Sequence, residues 1–246
     1  QDTFKDDPYN IYAGYADSEE NYKNSVNTNG GFYIGRYEAG TNPEKTNRTR
    51  GNKDHTVDEI ITANGVPVCK QDQTPYNYIT QSQAKGLVEK MYEGKSFTCT
   101  LPTGAAWDRT LGWLVNTEDK TLSEISSNSS NWGNYSNVSF SVISTAKGAS
   151  NNITYSAVSD STKPASRMLL TTGAAPDRNV SNNIYDLAGN VEEWTTEVIG
   201  SNPNPASRGG YYYFAGDETA GIRHNSSDNP CNASVGFRPA LYLPET

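Results

Sequence analysis

Two carboxylates flank a glycine and an amide in the run Asn183-Ile184-Tyr185-Asp186-Leu187-Ala188-Gly189-Asn190-Val191-Glu192-Glu193-Trp194. Asp186 and Glu193 are hard oxygen donors, and Gly189 lets the backbone fold back so that main-chain carbonyls turn toward the same centre. Calcium takes such a ligand set, six to eight oxygens in flexible geometry. The spacing is not that of the helix-loop-helix calcium loop. The same residues also read as a structural turn, with Asp186 and Asn190 bonding their own backbone and Trp194 filling a core. The residues alone leave both readings open, and the two are compatible.

Elsewhere chemistry-bearing residues are sparse. His55 and His224 are the two histidines, far apart and without metal-ligand spacing; a lone histidine is more often a surface or contact residue than a ligand. No Gly-x-Ser-x-Gly elbow, phosphate loop or His-Glu-x-x-His helix occurs. Cys69, Cys99 and Cys231 make an odd number without close spacing, which excludes a disulfide framework as the main staple. Cys69 could bridge Cys99 in an oxidising setting, but Thr98-Cys99-Thr100-Leu101 reads as a strand holding a small buried thiol, so free cysteines are expected. A net charge of −8 and a pI near 4.8 argue against nucleic acid as a partner, since no basic run is present. No apolar run is long enough to span a bilayer, so no membrane insertion is expected. Gln1 to Asn29 lacks the charged start and apolar core of a signal peptide and reads as an N-terminal arm.

The elements that position these residues follow from local pattern. Phe32, Ile34 and Tyr37, with Tyr33 and Arg36 between them, predict a partly buried strand. Thr80-Gln81-Ser82-Gln83 opens a helix whose apolar stripe is Ala84, Leu87, Val88, Met91 and Tyr92, with Gly94 as its stop. Thr103 caps a second helix with stripe Ala106, Trp107, Thr110, Leu111 and Leu114. Residues 116–179 are polar and read as a large insertion of surface loops with a few short strands, one of them at Val138-Ser139-Phe140-Ser141-Val142. The whole, 1–246, is expected to be one domain.

The Asp186 run resembles the C-terminal signature Tyr-Asp-x-x-Gly-Asn-Val-x-Glu-Trp of the formylglycine-generating enzyme-like, or sulfatase-modifying-factor, domain. Further matches fall in order. Gly31-Phe32-Tyr33-Ile34-Gly35-Arg36-Tyr37-Glu38 resembles the opening strand, and Leu101-Pro102-Thr103-Gly104-Ala105-Ala106-Trp107 the Leu-Pro-Thr-x-x-x-Trp helix start. Arg208-Gly209-Gly210 and Val235-Gly236-Phe237-Arg238 resemble the closing strands. The resemblance implies an α+β, C-type lectin-like fold with two helices, short antiparallel strands and much ordered loop. It also implies calcium held by Asp186, Gly189, Val191 and Glu193.

Catalytic members of that family hold copper with two cysteines in the stretch after Arg-Gly-Gly. Here that stretch reads Tyr211-Tyr212-Tyr213-Phe214-Ala215-Gly216-Asp217-Glu218, with Phe214 where the first thiolate would stand. Cys231 is alone, and a soft metal needs more than one such donor. A related branch uses iron on three histidines, and this chain has two. The resemblance therefore points to a non-catalytic member, with a metal-dependent oxidase as the alternative.

Between the closing motifs, Tyr211 to Ser234 is rich in Tyr, Asn, Ser, Asp and Ala. Tyrosine gives large amphipathic contact area at low entropy cost, while Ser, Asn and Gly adapt their hydrogen bonds. The arrangement is similar to the variable proteins of diversity-generating retroelements, in which adenine mutagenesis turns asparagine codons into a residue set like this one. Glu218 fits that set poorly, and Arg223 reads as framework. The expected ligand-contact residues, within a C-terminal display segment 208–243, are Tyr211, Tyr213, Phe214, Asp217, Glu218, Thr219, His224, Asn225, Ser227, Asp228, Asn229 and Asn232. The partner would be a protein or cell-surface ligand, and the setting a phage tail or bacterial surface. A plainer expectation is a strand at Tyr211–Phe214 that buries Tyr212 and Phe214. A sugar is not implied by the fold.

Overall fold

The computed structural model describes residues 16–41, 54–151, 154–199, 204–225 and 231–244. Among these, five α-helices and many short strands form a loop-rich, mixed α+β molecule. The helices are α1 (Ala16–Asn29), α2 (Val57–Asn64), α3 (Gln81–Met91), α4 (Gly104–Asn116) and α5 (Leu122–Ser126).

Helix starts are set by threonines. Thr80 caps α3 and accepts from Gln83 N, while the Gln83 side chain returns to the Thr80 amide; Thr103 caps α4 through Ala106 N. Such caps satisfy amides that have no partner within the helix. The expected stripes are the buried faces: Ala84, Leu87 and Val88 on α3, and Ala106, Trp107, Thr110, Leu111 and Leu114 on α4. Helix α3 stops at Met91, earlier than Gly94, because Tyr92 leaves helical geometry and packs on Phe97. Helices α2 and α5 were not anticipated, although Thr56/Glu59 and Thr121/Glu124 form the same capping box.

A four-stranded sheet runs in the order Arg223–Asn225, Asn204–Arg208, Glu192–Ile199, Val235–Gly236, antiparallel except for the last pair. A three-stranded sheet sets Tyr33–Ile34 beside Ala240–Tyr242, and that beside Thr98–Thr100. Trp194 lies in a cluster with Tyr76, Leu87, Val88, Leu101 and Phe237. Trp107 anchors a second with Leu111, Tyr135 and Leu187. Each fully buried large apolar side chain contributes on the order of 1.5–3 kcal/mol.

Two further expectations change. Residues 116–179 are more than surface loops: Phe140, Val142, Ala146, Leu170, Ala174 and Ala175 form a small core of their own, and the Lys163 ammonium is buried on the Val138 carbonyl at 2.9 Å. Strands of two or three residues, such as Phe140–Ser141 and Leu169–Leu170, are too short to show a period in sequence. In the N-terminal arm, residues 16–29 form α1, whose Tyr22 ring meets Phe32 and Tyr242 edge-on at 5.5 and 5.9 Å. Residues 1–15 lie outside the described part.

Candidate functional site: an aromatic turn on an ionic hub

The Asp186 run is buried and reaches across the chain. Arg238 grips Glu193 in a fork, Nε to Oε2 at 2.6 Å and Nη2 to Oε1 at 2.5 Å, and also donates to the carbonyls of Gly35 and Tyr185. Asn190 donates to Glu38 at 2.7 Å and accepts from Leu170 N and from Asn134, each at 3.0 Å. Glu38 accepts in addition from Val191 N. Asp186 accepts from Gly173 N at 2.6 Å. Asp186 and Asn190 thus bond distant backbone rather than their own, and Trp194 fills the core with its ring N–H on the Ile79 carbonyl. Burial, above all, pushes the Asp186 carboxyl up to about 6. Burial raises Glu38 too, followed by the charges of Asp186 and Glu193, with Arg238 opposing.

Of the four residues expected to hold calcium, Glu193 has both oxygens on Arg238, and Asp186 has one on Gly173. Gly189 sits at φ +72 with its amide on the Gly209 carbonyl, and the Val191 amide is on Glu38. Among the described residues no group of three or more His, Cys, Asp or Glu could hold a metal ion.

The same hub roots the tyrosine segment. After strand Asn204–Arg208, Gly209 and Gly210 take φ +101 and +67, and a Cβ at Gly210 would stand 2.0 Å from the Glu218 carbonyl oxygen. Only glycine fits there. Arg208 is buried between Asp108 and Glu197, and Arg223 pairs with Glu197 at 2.6 Å, so Arg223 belongs to the framework. The Tyr212 amide then donates to the Asn190 carbonyl at 3.1 Å, tying the turn to the run.

Tyr211–Phe214 is a turn rather than a strand, closed by Phe214 N on the Tyr211 carbonyl. Tyr212 is buried as expected, but Phe214 is 40% exposed and Tyr213 37%. The turn breaks the alternation and swings Phe214 outward. The Tyr211 ring stacks with Tyr213 at 6.3 Å and meets Phe214 edge-on at 5.1 Å. The Arg167 guanidinium covers Tyr213 at 3.6 Å, an attraction to the ring's negative face. A groove of about 440 Å³ beside them is lined by Tyr78, Tyr211, Tyr212, Tyr213, Cys231, Asn232, Ala233 and Ser234, so both ends of the segment converge. Arg167 and Tyr78 were missed in sequence; only the fold brings them here.

The middle of the segment is less open. Ala220 N, Gly221 N and the Gly216 carbonyl bond residues 125–129, and Thr219 is 5% exposed and faces inward. Thr219 is therefore not placed to meet a ligand. Asp217, Asn225 and Asn232 are exposed. The His224 imidazole lies between Glu192 on Nδ1 and Glu218 on Nε2, the latter at 2.8 Å. The Glu192 hydrogen bond, opposed by burial and helped by the charges of both glutamates, raises the His224 pKa above its ordinary 6.5. Burial, then Glu192 and Glu218, pushes the Tyr211 hydroxyl up to about 12. Ser227, Asp228 and Asn229 lie outside the described residues.

Cys231 bonds the Tyr78 carbonyl at 2.6 Å, and the three thiols carry no disulfide. Among the described residues no helix is long and apolar enough to cross a membrane.

No protein-family model and no curated protein matches this chain. Among solved structures, the chain is similar to the crystal structure of CarF, with 14% identity, a TM-score of 0.42, and coverage of 68% of this chain and 67% of that one. It is also similar to Treponema denticola variable protein 1, with 19% identity and a TM-score of 0.31, over 59% of this chain. The overlap spans 48%, about half, of that variable protein's length.

Proposed function

We propose that this chain is a non-catalytic binding protein with a C-type lectin-like fold of the formylglycine-generating enzyme type, presenting a diversified ligand-contact face at its C-terminal end. The observation that carries this reading is the aromatic turn: Tyr213 and Phe214 are exposed while the roots of the turn, Arg208 and Tyr212, are buried and bonded. Exposed aromatics on a fixed base present contact area with little ordering cost. The contact face consists of Tyr211, Tyr213, Phe214, Asp217, Glu218, His224, Asn225 and Asn232, and its partner is a protein or cell-surface ligand met at a phage tail or bacterial surface.

Three experiments test the proposal. The gene should carry, near a reverse transcriptase, a near-repeat of the part encoding Tyr211 to Ser234 that differs mainly at adenines; its absence removes diversification. A library randomised at Tyr211, Tyr213, Phe214, Asp217, Asn225 and Asn232 should yield folded binders to an immobilised protein such as lysozyme. A library that yields only unfolded chains removes the display reading. Calcium at Asp186, Gly189, Val191 and Glu193 belongs to the same proposal, at the cost that Glu193 shares its oxygens with Arg238. A thermal melt with and without chelator decides it, an unchanged midpoint counting against the ion.

A further inference from the structure

A second groove, of about 570 Å³, shares no residue with the tyrosine face. One wall is the strand Tyr33–Ile34 and its continuation to Arg36; the other is α4, on which Arg109 and Trp113 are four residues apart and so share a face. Tyr33 is 63% exposed and Trp113 43%, the two largest aromatic exposures in the described residues. Single exposed apolar residues need no explanation, but two aromatic planes on facing walls of one groove form a patch.

The charge pattern selects among occupants. The protein carries −8 overall, yet among the described residues the only charged ones lining this groove are Arg36 and Arg109. Arg36 is held in place by a hydrogen bond to the Tyr37 hydroxyl, and the Tyr37 ring stacks on Tyr185 at 4.7 Å. Guanidinium groups recognise planar carboxylates by paired hydrogen bonds. The exposed amide side chain of Asn183 adds donors and an acceptor at the rim.

An inorganic anion would leave the aromatic planes idle. An extended peptide adding to the sheet edge would find it closed past Ile34, where the Arg36 carbonyl is taken by Tyr185 N. A compact ring with one carboxylate, polar hydroxyls and a C–H face uses every wall. Its C–H bonds, slightly positive, pack on the negative faces of Trp113 and Tyr33.

We propose that this groove binds a carboxylated sugar ring, of the uronic or sialic type, independently of the tyrosine face. Trp113 supplies a reporter, because Trp107, Trp132 and Trp194 are buried. The probes are trigalacturonate and sialyllactose, with lactose as neutral control and hexaglutamate as acidic peptide. Expected is a change in fluorescence and in acrylamide access on adding at least one of the acidic sugars, with a Kd below about 1 mM. Which sugar responds distinguishes the two sources. By calorimetry, Trp113→Ala should abolish binding, and Arg36→Gln or Arg109→Gln should weaken it about tenfold or more. Tyr213→Ala should leave it unchanged. All of these side chains are exposed, and circular dichroism checks that each variant folds. The proposal is overturned if neither acidic sugar binds, if lactose binds as well, if hexaglutamate binds as tightly, or if Tyr213→Ala removes binding.

Discussion

The hub around Asn190 and the turn at Tyr211–Phe214 are joined by one hydrogen bond, yet they solve opposite problems. In the hub, Glu38, Asp186, Glu193 and Arg238 are buried, and each polar group named has a partner from a distant part of the chain. In the turn, rings pack mainly on one another and on Arg167, and two of them face solvent. Buried charges tolerate almost no substitution, because removing one partner strands the other. Surface rings that rest on one another and on an exposed guanidinium tolerate more. The difference teaches where sequence variation is affordable in this molecule.

That contrast can be broken by substitution. Arg238→Met leaves Glu193 buried without its counter-charge and should cost about 3–5 kcal/mol in urea unfolding; a loss under about 1 kcal/mol would erase the distinction between the regions. Gly210→Ala forces a Cβ against the Glu218 carbonyl at positive φ and should cost about 1–3 kcal/mol, with the Tyr211 turn displaced in a crystal structure. His224, at the border, sharpens the comparison through pH. Its pKa is raised in the fold, so its stabilising contribution is complete below the unfolded value near 6.5 and is lost as pH rises through the folded value. Melting midpoints of the wild type and His224→Gln should therefore differ most at about pH 6 and converge toward pH 9; a constant gap would mean that the charged His224 between Glu192 and Glu218 adds no stability. Smallest of all, Tyr213→Ser should move stability by no more than about 0.5 kcal/mol. A larger loss would make Tyr213 scaffold.

How much of this was legible in the sequence depended on the range of the interaction. Thr80 and Thr103 were readable as caps because a cap is settled within four residues. The same signature at Thr56 and Thr121 was there to be read, but its helices are short and carry weak stripes. Trp194 was readable as a core residue. That Arg238 grips Glu193, or that Glu38 bonds Asn190, was not, because those partners are separated by 45 and 152 positions and no local pattern encodes them. Phe214 faced the other way from expectation because alternation holds only in extended chain, and the chain turns there. The carboxylate pair that suggested a metal also anchors Arg238 and the Gly173 amide, which no local pattern announced.

The position of Arg238 along the chain has a consequence for quality control. It is translated after Tyr211–Asn232, while its partner Glu193 is translated before. A chain ended by a stop codon anywhere in the intervening stretch therefore buries a carboxylate without its arginine, and also lacks the strand Ala240–Tyr242 that joins Tyr33–Ile34 to Thr98–Thr100. Such a product is destabilised at the centre of the molecule, so the fold that holds Tyr211–Asn232 depends on residues translated after it.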